Sequence, residues 1–488
     1  MLDTNDLLTD EQMIQFITKG YVVLRNEVPP GLHQEVMGKI NTVLHHEGNP
    51  GNNILPRVPE LGRFFETSVV RGALTSVLGA EYYMHPHRHC HYNRPGNPVP
   101  GGGVWHKDGF WSSMRSHRPW WAMIFYYTQD VTLDMGPTAI MPGTQYFEKF
   151  PGDEAETLLP TGKAGTMVLV HFDLWHRASI NSSQLDRYML KFQFVRLTAP
   201  ASPTWNHKSD RFDLPLEAPA QLPDLWLDVW KWLRGQGSLA GETKEEAEAP
   251  RVQELGRMLR EEEVRALNAA YSLGTMGMAG AEELLKQLRE GTYLIATRAA
   301  YGLQGSGTVA VAGLTEILGR HPDDKRRALA AFALGMLGNA SIEAVPALVA
   351  ATRDESMWVC RNAIESLGMM TQRADLTVPA LTEALVASVE QEKDMIFDTT
   401  DPYGKNQAYI QNKIGYTACL SLLRIGREGD PSIVLHAIKQ ALTSKDRYVR
   451  AYAFEVLGQL RSPESLEALI DHFRSARWCP DTHKASGY

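Results

Sequence analysis

The stretch WHKDGFW, residues 105–111, places a histidine and an aspartate on either side of one residue, between aromatic neighbours. It is either half of a metal site at a strand end or an ordinary polar strand terminus. The triplet alone does not decide, because the chain contains three: His106-Lys107-Asp108, His171-Phe172-Asp173 and His321-Pro322-Asp323. Context separates them.

A non-haem iron(II) oxygenase holds its metal on one face with two histidines and a carboxylate, leaving positions for a bidentate co-substrate and oxygen. Residues two apart on a strand project to the same side, so the first histidine and the carboxylate come as a triplet. The second histidine must arrive from another strand. His106 and Asp108 meet this requirement with His176, which ends the run GTMVLVHFDLWH 68 residues after Asp108. His171-Phe172-Asp173 lies on that same run and has no suitable later histidine nearby. His321-Pro322-Asp323 sits between two helical repeats, where HPDD reads as a turn and helix start.

The second requirement is a cation for 2-oxoglutarate. Its keto acid end chelates the metal, so its far carboxylate calls for a buried cation at a fixed distance, and a bidentate arginine suits this best. Arg187 opens the strand RYMLKFQF eleven residues beyond His176. The two strands are expected to form a hairpin that presents both side chains to one cavity.

The surrounding grammar divides the chain. Residues 1–235 mix aromatic and branched strand runs, WWAMIFYYTQDV, GTMVLVHFDLWH and RYMLKFQFVRL, with glycine and proline punctuation, as in a β-sandwich or barrel with flanking helices. LTDEQMIQFITKGYVVLRNEVPP reads as a helix, a glycine stop and a strand. Residues 236–250 are polar and charged, a linker. From 251 to 480 the phrases AAYSLGTMG, AAYGLQGSG, AAFALGMLG, NAIESLGMM, ACLSLLRIG and YAFEVLGQL carry leucines at 273, 303, 334, 367, 422 and 457. The spacings are 30, 31, 33, 55 and 35 residues, one helical unit repeated with a single insertion near 390–413. Such units cannot bury their apolar faces alone and stack into an α-solenoid. The glycine that often follows the leucine is expected to end each helix.

Composition narrows the function. With 49 basic and 57 acidic side chains the net charge is −8, which argues against nucleic acid and anionic membranes as partners. Cys90, Cys360, Cys419 and Cys479 are widely spaced and form no Cys-x-x-Cys pair, so neither a disulfide framework nor a cysteine zinc site is indicated. No leader or stretch long enough to span a bilayer stands out, and a reducing cytoplasm is the expected location.

On WHKDGFW, the opening LTDEQMIQFITKGYVVLRN, the segment GPTAIMPGTQ and LWHRASINSSQLDRYML, residues 8–200 resemble the phytanoyl-CoA dioxygenase family of iron(II)- and 2-oxoglutarate-dependent oxygenases. Residues 255–475 resemble HEAT-like repeats. The first resemblance implies a double-stranded β-helix core, iron held by His106, Asp108 and His176, 2-oxoglutarate held by Arg187, and release of succinate and CO2. Several family members carry serine two positions after the distal histidine, whereas this chain has Ala178 followed by Ser179. Related halogenases lack the carboxylate, so the resemblance with Asp108 present implies hydroxylation or another oxidation and not halogenation, and hydroxylation of an unactivated carbon of a small molecule is the expected reaction.

Other residues are candidates of lower rank. His85, His87, His89 and His91 alternate along one strand, with Asn93 on the same face. The resemblance makes His91 and Asn93 the better 2-oxoglutarate contacts. Arg115, His117 and Arg118 are candidate contacts for an anionic substrate, and Trp105, Trp111 and Trp120 for an apolar wall. Tyr126, Gln145, Lys191 and Gln193 are unranked pocket candidates, and Lys107 should point away from the ligands. Two further readings remain open: a peptide or protein hydroxylase that docks its substrate, or self-associates, through the repeats, and a HEAT scaffold or sensor whose oxygenase half is retired.

Overall fold

The structure, a computed structural model, describes residues 3–26, 28–96, 102–108, 112–213, 221–237, 249–394, 410–428 and 431–475. Trp111, most of the expected linker and the centre of the 390–413 insertion lie outside the described residues. The chain forms two compact units.

The first unit comprises Met1–Gly109 and Arg115–Ala310. It begins with the helix Asp10–Lys19, whose start is a capping box: Thr9 Oγ1 accepts from the Gln12 N–H, and Gln12 Oε1 accepts from the Thr9 N–H. Gly20, at φ 78°, ends the helix and turns the chain into β1, Tyr21–Arg25. The other strands are β2 (Tyr83–Asn93), β3 (Trp121–Tyr127), β4 (Ala139–Ile140), β5 (Thr166–His171), β6 (His176–Arg177) and β7 (Arg187–Val195). They form a five-stranded antiparallel sheet in the order β1-β5-β3-β7-β2 and a two-stranded sheet β4-β6, the frame of a double-stranded β-helix oxygenase core.

Every residue of β3, β5 and β7 is buried, which explains their unbroken apolar runs. One face of the large sheet meets helices: Phe65 packs 4.4 Å from Phe192, and Tyr126 packs 4.9 Å from Phe64 with its hydroxyl 2.8 Å from His33 Nδ1. The other face carries Phe125 and its cross-strand partner Lys191. Residues paired across strands share a face, so Arg187, Met189, Lys191 and Gln193 all lie on this second face, opposite Tyr126.

The strand GTMVLVHFDLWH is shorter than its apolar pattern suggests. β5 ends at His171, residues 172–175 turn, and His176 belongs to β6 in the small sheet. Arg187 opens β7 in the large sheet, so His176 and Arg187 come from two sheets and not from a hairpin within one.

The same unit continues through the helices Pro223–Leu233, Glu263–Gly274, Gly277–Glu290 and Tyr293–Leu303. The second unit comprises Phe110–Met114 and Val311–Tyr488. Within it, the Ser113 N–H donates to Glu365 Oε2 at 2.7 Å and the Ser113 hydroxyl lies 2.8 Å from Asn362 Oδ1. All six repeat leucines, Leu273, Leu303, Leu334, Leu367, Leu422 and Leu457, are fully buried. Burial of each contributes about 2 kcal/mol.

Of the glycines that follow a repeat leucine, Gly274 and Gly368 end their helices as their sequence position suggests, without a left-handed turn, while Gly335 and Gly458 lie inside theirs. A Cβ on Gly274 would sit 2.2 Å from the Gly302 carbonyl oxygen, and one on Gly302 would sit 2.3 Å from the Ala270 carbonyl oxygen. Their role is close helix approach. One helical run, Asp324–Ala351, is long and apolar enough to cross a membrane, contrary to the sequence expectation. It breaks at Ser341 (φ −106°, ψ 23°) and is 72% buried, as a solenoid core helix pair should be.

Candidate metal centre

The two histidines of the site face each other across the small sheet. The His106 N–H donates to the His176 carbonyl at 3.0 Å, and the His176 N–H returns a bond to the His106 carbonyl at 2.9 Å. Such a directly opposed antiparallel pair places both side chains on one side, and the rings lie 4.4 Å apart. A buried glycine supports the loop beyond His176: at Gly136 φ is 66°, and a Cβ there would come within 2.5 Å of the Ile180 carbonyl oxygen. The GPTAIMPGTQ segment therefore braces the distal histidine through backbone contact.

Each imidazole is fixed by a carbonyl two residues earlier, His106 Nδ1 to Val104 at 2.7 Å and His176 Nδ1 to Leu174 at 2.9 Å. With Nδ1 donating, Nε2 keeps its lone pair, the tautomer a metal ligand needs. His176 Nε2 is buried without a hydrogen-bond partner, and burial pushes its pKa down to about 4, so the ring stays neutral near pH 7.

Asp108 completes the group. Its Oδ1 lies 3.7 Å from His176 Nε2 and 3.9 Å from His106 Nε2, and one ligand atom from each of the three residues falls within 4.8 Å of the others. Its Oδ2 is occupied: Lys191 Nζ donates at 2.6 Å and Gln193 Nε2 at 3.1 Å. Burial alone would raise the Asp108 pKa, but Lys191 and His176 hold it well below the carboxylate range. The carboxylate is ionised, with one oxygen held by β7 and the other turned to the imidazoles.

Arg187 stands on the same face of β7 as Lys191 and is 1% exposed, with Nε and Nη1 lacking partners. A buried guanidinium left unpaired costs free energy unless an anion completes it, and a carboxylate matches its fork. The donor set and this orphaned cation fit iron(II) and 2-oxoglutarate. Neighbouring β2 residues supply more: His91 pairs with Met189 and Asn93 with Arg187 in register. His91 Nε2 is buried without a partner, and burial holds its pKa well below the usual imidazole value. Asn93 Nδ2 is spent on the Ser179 carbonyl at 2.8 Å, leaving its Oδ1 unpaired.

Other candidates have different employment. Arg115 donates to the Asp108 carbonyl at 2.9 Å and pairs with Asp173. Arg118 is 2% exposed, 3.4 Å from Asp228 and 3.2 Å from the Gln304 carbonyl. Both arginines are committed to internal partners and correct the reading of an anionic substrate platform. Tyr126 is on the wrong face of the sheet and bonded to His33, so it lines no pocket here. Trp105 donates to Asp153 and lies under Arg177, while Trp120 packs against Trp232. Lys107 turns away from the ligands, as expected, and donates to the Gln145 carbonyl at 3.0 Å; burial lowers its pKa to about 8. Gln145 itself donates to the Ile17 carbonyl. Lys191 and Gln193, unranked in the sequence, are the polar groups that grip the carboxylate. The period-two face set by Arg187 was the signal for them.

A two-sheet β-helix core on which two imidazoles and a carboxylate converge defines the class of non-haem iron oxygenases. Residues 18–189 match the phytanoyl-CoA dioxygenase (PhyH) family and residues 311–394 match HEAT repeats. The chain is thus similar to PhyH-type, iron(II)- and 2-oxoglutarate-dependent oxygenases over residues 18–189 and to HEAT repeats over residues 311–394. Among solved structures, it is similar to the non-heme alpha-ketoglutarate-dependent carbocyclase SnoK from nogalamycin biosynthesis, at 16% identity and TM-score 0.35 over 41% of this chain and 88% of that one. EctD from S. alaskensis, solved with 2-oxoglutarate and 5-hydroxyectoine, matches at 18% identity and TM-score 0.35 over 44% and 86%. A nickel complex of the non-heme monooxygenase ThoJ matches at 16% and TM-score 0.31 over 42% and 88%. A comparison with curated proteins returned no match.

Proposed function

We propose that this protein hydroxylates an unactivated carbon of a small molecule, with His106, Asp108 and His176 as the iron ligands and Arg187 as the anchor of 2-oxoglutarate. The carrying observation is the pairing of vacant donor atoms. Two Nε2 lone pairs and Asp108 Oδ1 converge on one point, while Nε and Nη1 of the Arg187 guanidinium on the adjoining strand face have no hydrogen-bond partner among the described residues. When bound, iron(II) would let O2 oxidise 2-oxoglutarate to succinate and CO2, with one oxygen atom going to succinate and the other left for the substrate carbon.

The chain's own residues prepare this chemistry. The Val104 and Leu174 carbonyls fix both imidazole tautomers, so binding costs no ring reorientation. Lys191 and Gln193 keep Asp108 Oδ2 occupied, which restricts the carboxylate to one metal-facing oxygen and leaves room for a bidentate co-substrate. Arg187 orients that co-substrate by its far carboxylate, and His91 Nε2 offers a further polar contact on the same face.

The test is an anaerobic absorption titration of the metal-free protein with iron(II) and then 2-oxoglutarate. A weak visible charge-transfer band, lost in His176→Ala and needing more co-substrate in Arg187→Met, is the expected result. Well-folded, iron-loaded protein without the band would sink the 2-oxoglutarate reading. Succinate release in the presence of small-molecule pools then separates metabolite from peptide substrates.

A further inference from the structure

The segment Arg115–Arg118, downstream of the metal triplet, makes its contacts inside the first unit. Within the first unit it docks on the helices Glu263–Gly274 and Tyr293–Leu303, which carry the first two repeat leucines. His117 is 3% exposed and stacks on Tyr301 with ring centroids 4.0 Å apart and planes at 26°. Its Nδ1 lies 2.8 Å from the Tyr271 hydroxyl, and its ring edge meets Tyr146 at 5.6 Å. Tyr271 in turn bonds to Gln304, whose carbonyl accepts from Arg118 at 3.2 Å.

A second loop beside the metal triplet reaches the same two helices. The Tyr301 hydroxyl donates to Glu148 Oε1 at 2.7 Å, and the Glu148 N–H donates to Glu263 Oε1 at 2.8 Å. This loop also accepts Lys107, the residue between the ligands, at the Gln145 carbonyl. On the other side, Arg115 joins the His117 loop to the Asp108 carbonyl. Two routes therefore run from the first repeat helices, one to the Lys107 side chain and one to the Asp108 carbonyl. Neither was legible in the sequence, where His117 and Arg118 read as substrate contacts.

We propose that the first repeat helices are a positioning scaffold for the iron site, with His117, Tyr271 and Tyr301 as the positioning residues that hold the Asp108 segment at its ligating place. The surrounding parts of a metal site orient the ligands and commonly set affinity over about 10–100-fold. In this arrangement the helices to residue 310 belong to the oxygenase, and removal of everything after the linker would loosen its metal ligands. The inference rests on the proposed iron reading of His106, Asp108 and His176.

The test uses the full chain and measures iron(II) affinity by competition with a chelating dye, 2-oxoglutarate half-saturation at saturating iron, and hydrogen exchange of residues 105–118. His117→Ala and Tyr271→Phe are compared with Ser272→Ala, which alters the same helix where it bonds to Asp224, away from the loop. Expected are iron(II) binding weakened by about tenfold and faster exchange of 105–118 in the first two variants, with half-saturation unchanged once iron is bound. His117→Asn, which keeps a polar atom near Tyr271, should restore part of the loss. Tyr271→Phe guards against misfolding, because it removes only a hydroxyl. Wild-type iron affinity and unchanged loop exchange in folded His117→Ala and Tyr271→Phe would overturn the proposal, as would an equal loss in Ser272→Ala. Absence of His176-dependent iron binding in the wild type would instead overturn the iron reading itself.

Discussion

Asp108, largely shielded in the oxygenase core, and Asp446, buried in the repeats, are two aspartates whose surroundings differ in kind. Asp446 caps the helix Arg447–Leu460: Oδ1 accepts the Tyr448 and Val449 N–H groups at 2.8 and 3.2 Å, and Oδ2 accepts those of Gln411 and Asn412 at 2.7 and 3.0 Å. Both of its oxygens are satisfied by the chain. Asp108 has one oxygen held by Lys191 and Gln193 and the other turned toward two imidazole nitrogens. The arginines repeat the contrast. Arg298 donates through Nη1 to the Leu259 and Glu261 carbonyls at 2.8 and 2.9 Å and leaves its Nε unpaired, whereas Arg187 has both Nε and Nη1 unpaired among the described residues. Buried polar groups that the chain completes stabilise the fold, and those it leaves open prepare a ligand site.

The largest effect that would test this contrast is a reversed pair of losses. Asp108→Asn, which keeps an oxygen for Lys191 and Gln193, should weaken iron(II) binding by about 100-fold while changing the unfolding midpoint of the metal-free protein less than it changes binding. Asp446→Ala should do the opposite, costing about 2–3 kcal/mol in urea unfolding with iron binding intact, since buried N–H groups lose their acceptor. Equal destabilisation by both would break the comparison.

Next in size, Arg187→Met should raise the 2-oxoglutarate concentration for half-saturation by about 10–100-fold, the worth of one or two charge-assisted bonds. Arg298→Met should leave that value alone and lower thermal stability. A wild-type titration curve from Arg187→Met would remove the arginine from the site.

Acid should act through the buried histidines. Burial holds His117 at about 3 and His171 and His176 at about 4, below the unfolded value of about 6.5. The unfolded chain therefore binds more protons than the folded one between these values, and stability falls as pH falls through that window. Each histidine contributes up to about 1.4 kcal/mol per pH unit there, read as a urea midpoint that drops between pH 6.5 and 5. His117→Asn should flatten the slope.

The smallest effect is expected at Tyr126→Phe. Loss of its bond to His33 should cost about 1 kcal/mol in stability with iron and 2-oxoglutarate binding unchanged. A shift in either binding constant would return Tyr126 to the site.

Much of the site was legible because local rules govern it. The triplet periodicity of His106 and Asp108, the distal His176, and Arg187 at a strand start all follow from residue type and spacing. The repeat was legible for the same reason: six leucines at helical-unit spacing are buried as one set. The residues misread are those whose partners lie far along the chain. Arg115 and Arg118 looked like anion contacts because cations in a loop carry no mark of the carboxylates that meet them, Asp173 and Asp228.

From the sequence alone came the class of chemistry, the four residues proposed to carry it and the division into strands and repeated helices, since periodicity and ligand spacing are properties of the chain. Tertiary structure alone decided that His176 and Arg187 come from different sheets, that Lys191 grips Asp108, that Gly274 and Gly302 serve close packing, and that the first repeat helices meet His117 and Glu148. Each of these depends on which distant groups meet when apolar faces are buried together, and pairings over such separations leave no pattern along a single chain.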